Sequence, residues 1–405
     1  MRWAALVVLW ASVSPVAAVQ ADSEMVRALL ARIEKLEKRV AELETRGGPA
    51  AAVPVEKAPP MVHHTPPEAV APEAHYTAPN LHIGGFSDAN FSASDQRGAR
   101  SGFSEGQFIL HLSSALSQRV NFFGEISMTA RPDAGTGMPP ATAFNVEIER
   151  SIIRFDQSDR LKLSFGRYHT PINYFNTAYH HGSWLHTTVS RPEMAQFGGR
   201  FIPVHFVGGL VEGTLPAGGW NLNYNAGIGN GRGAVISRGG DFGDANNNRA
   251  WLVNLFVKPD ALNGFQAGWS FYRDKISLAR DWRETISSGH IVWSREPEII
   301  AEFANVRHIP VGGGGATSNS QAWYVQAGYR LPIWAKLWKP YYRYEYIHIP
   351  RADEVFRDLP GLSGSMVGVR YDISPFAAFK WEYRSIKRPG LARINAGVVQ
   401  TSFTF

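Results

Sequence analysis

The sequence predicts an all-β fold, a 16-stranded antiparallel transmembrane β-barrel preceded by a short α-helical coiled coil. Three observations point there. Residues 80–405 alternate apolar and polar side chains over segments of about ten residues, the period of a strand with one apolar and one wetted face. The connections between these segments alternate short and long. Beyond residue 20, no stretch approaches the ~18 uninterrupted apolar residues of a membrane helix. The composition agrees: 405 residues carry 12% aromatics and 19% charged residues, against roughly 25% charged in an ordinary soluble domain. With no cysteine, a disulfide scaffold, a cysteine-ligated metal and thiol catalysis are excluded.

Met1 and Arg2, the apolar run Trp3 to Ala11, Ser14-Pro15 and the small residues up to Val19-Gln20-Ala21 form the basic, apolar and cleavage regions of a secretory signal peptide. Cleavage is expected after Ala21, with Ala18 the alternative, so residues 1–21 are a signal and the mature chain lies beyond the inner membrane. From there Val26, Leu29, Ile33, Leu36, Val40 and Leu43 alternate steps of three and four. That is a heptad seam with Val26, Ile33 and Val40 at a and the leucines at d. Arg32 and Arg39 precede Glu37 and Glu44 by five residues, the spacing of interchain ion pairs. Residues 22–46 therefore read as a periplasmic coiled coil, with an amphipathic helix lying on its own domain as the alternative. Gly47-Gly48-Pro49 ends the helix. Residues 47–79 hold eight prolines and read as a semi-extended linker, which at ~3.1 Å per residue could reach on the order of 100 Å. His63-His64 falls in this linker, where solvated side chains are expected and weak metal binding is the alternative.

The barrel domain, 80–405, divides into sixteen segments that begin near residues 81, 103, 119, 144, 161, 204, 220, 250, 265, 285, 298, 321, 340, 366, 376 and 393. Trp323, Val325 and Ala327 alternate with Tyr324, Gln326 and Gly328; Phe379, Trp381 and Tyr383 alternate with Lys380, Glu382 and Arg384. Parity fails between Arg150 and Phe155, which predicts a bulge. Short turns on one side and long loops on the other are the habit of outer-membrane barrels. Val399, Thr401, Phe403 and Phe405 share one face of the last strand, and the Phe403/Phe405 end resembles the terminal-phenylalanine targeting signal of such barrels.

A barrel of this size encloses a lumen wide enough for solutes. The longest connection, 170–203, is expected to narrow it by folding inward, the alternative being an external loop packed at a trimer axis. That loop carries His180, His181, His186, Arg191 and Arg200. The first 79 residues hold 8 Lys and Arg against 9 Asp and Glu, which leaves the barrel 33 against 26, a net +7. Lys162, Lys258, Arg370, Lys380 and Arg384 fall on the polar faces, and Arg330 and Arg343 flank the thirteenth segment. Glu125, Glu147, Glu302, Glu345 and Glu382 are interleaved with them. Basic rings favour anions, so a channel with anion preference is expected, and pairing with the interleaved acids would weaken it.

Phe165-Gly166-Arg167-Tyr168-His169-Thr170-Pro171 and Arg191-Pro192-Glu193, leading to Pro203-Val204-His205-Phe206-Val207-Gly208, carry a family likeness. With the coiled coil, spacer and terminal Phe, the chain resembles the phosphate-selective porin O/P superfamily, and within it the DcaP-like trimeric porins. The resemblance implies a homotrimer that passes small anions of the phosphate or dicarboxylate type. By position it implicates Arg167, Arg191 and Arg200 as contacts. The long arginine ladder of phosphate channels is replaced here by a sparser basic set mixed with acids.

The remaining expected partners are outer-membrane lipid, the barrel assembly machinery and, through residues 22–79, peptidoglycan; nucleic acid is not expected. A structural tether between outer membrane and cell wall is the competing role. No nucleophile elbow, paired-carboxylate motif or metal-ligand spacing is present, and His180-His181 with His186 departs from zinc-helix spacing. No enzyme activity, cofactor or metal is therefore expected.

Overall fold

The computed structural model describes residues 80–405 except His180, Gly198, Gly199 and Ala234, together with Lys35 and Lys38, both helical and exposed. The expected signal peptide, the seam Val26 to Leu43 and the linker lie outside the described residues. The strands are β1 Leu81–Ser94, β2 Gly102–Ala115, β3 Val120–Ala130, β4 Phe144–Ser158, β5 Leu161–His169, β6 His205–Leu215, β7 Leu222–Asn230 and β8 Ala250–Val257. They continue with β9 Phe265–Ser277, β10 Asp281–Trp293, β11 Glu298–Pro310, β12 Ser318–Gly328, β13 Trp338–His348, β14 Leu362–Ser374, β15 Ala377–Lys387 and β16 Ile394–Thr404. Each is antiparallel to its neighbours in sequence, and β1 pairs with β16 to close the barrel. The strand starts expected from alternation lie within four residues of these.

Alternation sorts the two faces of each strand. Along β12, Ser320, Ala322, Tyr324 and Gln326 are buried inside while Trp323 and Val325 are exposed outside. Trp251, Trp269, Phe303, Trp381 and Phe403 continue that outer band, the aromatic and apolar surface that a bilayer requires. The bulge foreseen near Arg150 is present: the β3–β4 register shifts between Glu125 and Ile126, opposite one extra residue, Glu149. Glu149 and Arg150 consequently both point inward, and the inward set changes from odd to even numbers along β4.

The last residue takes part in closure. Phe405 accepts a hydrogen bond from the Gly85 amide at 2.9 Å and donates its own amide to the Gly85 carbonyl at 3.1 Å. Its ring rests 5.6 Å from that of Phe108. Position 85 tolerates this approach because it has no Cβ, which would stand 2.3 Å from the Ile109 carbonyl oxygen and 2.6 Å from the Phe405 ring.

The lumen is not simply water. Residues 170–203 fold into it, as one of the two sequence readings required, and bring an apolar core along. Ile172, Phe175, Met194, Phe201 and Ile202 of the loop are buried against inward residues of β9 to β14, among them Trp282, Ile300, Tyr324 and Leu362. At ~1.5–3 kcal/mol for each fully buried large side chain, these five contribute on the order of 10 kcal/mol as an upper figure. The loop is thus a packed part of the barrel. Two further long connections lean in behind it: Arg232 of 231–249 donates to the Phe201 carbonyl at 2.8 Å, and Phe356 of 349–361 stacks on Phe201 at 5.4 Å.

Candidate functional site: the constriction loop and the chamber beside it

A loop with one turn of helix, Phe175–Ala178, and a short 3-10 turn, Glu193–Ala195, leaves most backbone groups without a partner of their own. Buried away from water, each would cost free energy unless hydrogen-bonded. The barrel wall supplies the partners as charged side chains. Oε1 of Glu302 accepts from the amides of Tyr174 and Phe175, both at 2.7 Å. Oε2 of Glu345 accepts from the Glu193 amide at 2.7 Å. Glu382 accepts from the amides of Val189 and Ser190, from Ser190 Oγ at 2.6 Å and from Tyr341 Oη at 2.9 Å.

The cations do the converse. Lys380, fully buried, donates to the carbonyls of Ser183, His186 (2.8 Å) and Thr188 (3.1 Å). Arg370 donates to the carbonyls of Trp184 at 2.6 Å and His186 at 3.0 Å and pairs with Asp372. Arg343 donates to the carbonyls of Ser190 and Arg191 at 2.8 and 3.0 Å and pairs with Glu345 at 2.6 Å. Arg384 pairs with Glu382 at 2.7 Å. Four of the basic residues expected along the pore therefore belong to the fastening of the loop, three directly and Arg384 through its carboxylate partner. Charge-assisted bonds suit that task, each worth about 1.5–3 kcal/mol.

The other expected positions separate. Arg191 is buried within the loop, donates twice to the Ala195 carbonyl at 3.0 and 2.7 Å, and lies over the Phe197 ring at 4.0 Å. His186 is buried beside Lys380, Arg191 and Arg343; burial first, then those cations, hold its imidazole well below the ordinary range. His181 is buried, and burial holds it too below the ordinary range. Arg200 is exposed at the end of the loop, and His180 lies outside the described residues. Arg167 pairs with Asp241 of the connection 231–249 at 2.9 Å and donates to the Ile148 carbonyl. Lys162 is half-buried on β5.

Opposite the loop's anchors the lumen keeps a chamber of about 700 Å³, lined by residues of β1 to β9 and by Pro171, Asn173, Tyr174 and Thr177 of the loop. Its charged walls are Arg150, Arg154, Lys258 and Glu212. Arg150 pairs with Glu125 at 2.5 Å and Arg154 with Asp156 at 2.7 Å. Lys258, 5.3 Å above the Phe256 ring, is in no ion pair among the described residues. A second space of about 430 Å³ shares Tyr174, Lys258 and Gln266 with the first and borders the short connection 258–264. Sequence parity missed Arg150 and Arg154 because the Glu149 bulge reverses the inward register of β4. The failed parity at 150–155 was the signal for it.

A closed sixteen-stranded antiparallel barrel with its longest loop folded inside is the architecture of outer-membrane porin barrels. The chain matches no known family model and no curated protein by sequence. Among solved structures it is similar to Salmonella typhi OmpF in complex with daunomycin (TM-score 0.56, 10% identity, 80% of this chain and 97% of that one). It is similar as well to the outer membrane channel DcaP of Acinetobacter baumannii (0.54, 10%, 81% and 98%). The trimer form of Vibrio cholerae OmpT, an outer membrane protein, aligns at 0.53 with 12% identity over 81% and 100%. At these identities the likeness is one of fold.

Proposed function

We propose that the chain is an outer-membrane porin, a passive diffusion channel for small hydrophilic solutes. The observation that carries this reading is the chamber of about 700 Å³ left beside the inserted loop, walled by charged, polar and aromatic side chains inside a barrel whose outer face is apolar. The likeness in fold to the channel DcaP supports it. Selectivity for small anions, of the dicarboxylate or phosphate type, follows from the net +7 of the barrel and from Lys258, which stands at the chamber wall in no ion pair among the described residues. Arg150 and Arg154 share their charge with acids and contribute less. The assembly is a homotrimer, as the trimer form of Vibrio cholerae OmpT suggests.

Reconstitution in a planar bilayer under a KCl gradient tests both clauses. Stepwise conductance with a reversal potential on the anion side is the expected result. Silence sinks the channel, and strong cation preference sinks the anion clause alone. The heptad seam and linker favour a second role, a periplasmic tether through residues 22–79. Deleting them is expected to loosen the envelope with solute uptake intact; an unchanged envelope removes the tether.

A further inference from the structure

We propose that the root of the constriction loop is a binding site for a divalent transition-metal ion of the zinc or copper class, built from His169, His181 and His205 with Glu125 and Glu149. The inference is independent of the porin reading. These residues come from five places: β3 (Glu125), the β4 bulge (Glu149), the end of β5 (His169), the loop (His181) and the start of β6 (His205). Ligand atoms of Glu125, His169 and His181 lie within 4.8 Å of one another, as do those of Glu149, His169 and His205. His169 belongs to both sets.

Two of the individual separations are those of ligands on one ion, and the third is a hydrogen-bond contact that an entering ion would open. Nε2 of His205 stands 2.6 Å from Oε2 of Glu149, Nε2 of His181 is 3.5 Å from the same oxygen, and Nε2 of His169 is 3.4 Å from Oε2 of Glu125. Ligand atoms around a tetrahedral ion with bonds of ~2.0–2.1 Å are about 3.3 Å apart. The surrounding groups aim the ligands. Ser127 Oγ donates to Oε1 of Glu149 at 2.6 Å and turns Oε2 toward the imidazoles. His111 holds Oε1 of Glu125 at 2.9 Å and Arg150 its Oε2 at 2.5 Å, so the ion would share that carboxylate with the guanidinium. Gln107 Oε1 lies 3.4 Å from Nδ1 of His181, and Nε2 is the nitrogen on the side of Glu149. Such outer partners fix tautomer and orientation at metal sites.

Charge points the same way. Glu149 is buried, and the cationic groups within 4.0 Å of it are His181 and His205 alone among the described residues. A carboxylate buried among imidazoles is satisfied by a divalent ion, and imidazole with carboxylate selects borderline metals such as Zn²⁺ and Cu²⁺ over Ca²⁺. Because His181 belongs to the loop and the other four to the wall, the ion would pin the loop where it enters the lumen. Gly182, at φ +83°, makes the turn that delivers His181.

The test is calorimetric titration of ZnCl2 into chelator-stripped, detergent-solubilised full-length protein carrying His63→Ala and His64→Ala, which silences the histidine pair of the linker. One saturable ion per chain is expected, with X-ray absorption showing nitrogen and oxygen neighbours at ~2.0–2.1 Å. His169→Ala should weaken binding roughly 100-fold or more, and Glu149→Gln, of the same shape, gives the same reading should the first variant fold poorly. Zinc should raise the melting temperature of the parent and not of either variant. Absence of saturable binding, or binding that both variants leave unchanged, overturns the site.

Discussion

At the scale of single residues, the charged groups of the lumen divide by what they face. Lys380 and Arg370 face backbone carbonyls of a buried loop, whereas Lys258 faces the chamber. Substituting the two kinds should give different phenotypes. Lys380→Met removes a buried donor from three carbonyls and should cost about 3 kcal/mol or more. The expected readout is faster hydrogen exchange at 183–188 and noisier single-channel current, with the barrel still folded. Lys258→Glu should leave stability unchanged and move the reversal potential toward cations. A Lys258→Glu channel with the parent's selectivity would show that the ions pass elsewhere.

At the scale of elements, the long connections 231–249 and 349–361 are each fastened to the wall by an ion pair. The connection 349–361 is tied by Asp353, whose carboxylate meets Nδ1 of His308 at 2.9 Å, Ser320 Oγ at 2.6 Å and the Phe356 amide at 3.1 Å. Burial works against its charge, but the bonds to His308 and Ser320 outweigh burial and hold the carboxyl below the usual carboxylate range. A lowered carboxyl stabilises the folded state above its ordinary value near 4, and the contribution is lost as pH falls through the lower folded value. Limited proteolysis across pH 6 to 2 should therefore show 349–361 opening at the acid end, and Asp353→Asn should open it already at neutral pH.

Strand boundaries were legible for a physical reason: each residue of a porin-like wall faces either lipid or lumen, so the two environments write themselves into alternation. The partners of the loop were not legible in this way. Lys380 and Glu382 were found as inward charges, while Arg343, expected to flank the thirteenth segment, lies within β13; nothing local distinguishes an inward lysine that meets solute from one that meets a carbonyl 192 to 197 residues away in sequence. Glu149 and Arg150 were hidden by their bulge, since parity reasoning has no register across an inserted residue.

At the scale of the whole molecule, closure is the property on which everything else depends, because an open sheet edge in lipid would leave a row of unpaired backbone groups. The seam between β1 and β16 is finished by Gly85 and Phe405. Gly85→Ala places a methyl 2.3 Å from the Ile109 carbonyl oxygen, an overpacking expected to cost ~1–3 kcal/mol. The yield of folded barrel, read as heat-modifiable migration on a gel, should fall; an unaffected yield would show that the seam can shift to make room.

Sequence by itself determined that this chain forms a sixteen-stranded barrel, where its strands run, and that 170–203 is the segment with length and chemistry to enter the lumen. Those properties are local, written in a two-residue period and in loop length. Only the tertiary structure decided what the inward charges do. It turned four expected pore residues into fasteners of the loop, moved the open chamber to the wall of Arg150, Arg154 and Lys258, and gathered three histidines and two glutamates from five separate segments. Those outcomes depend on which strands face each other across a closed ring and on which buried backbone groups need partners, and neither is encoded in the spacing of residues along the chain.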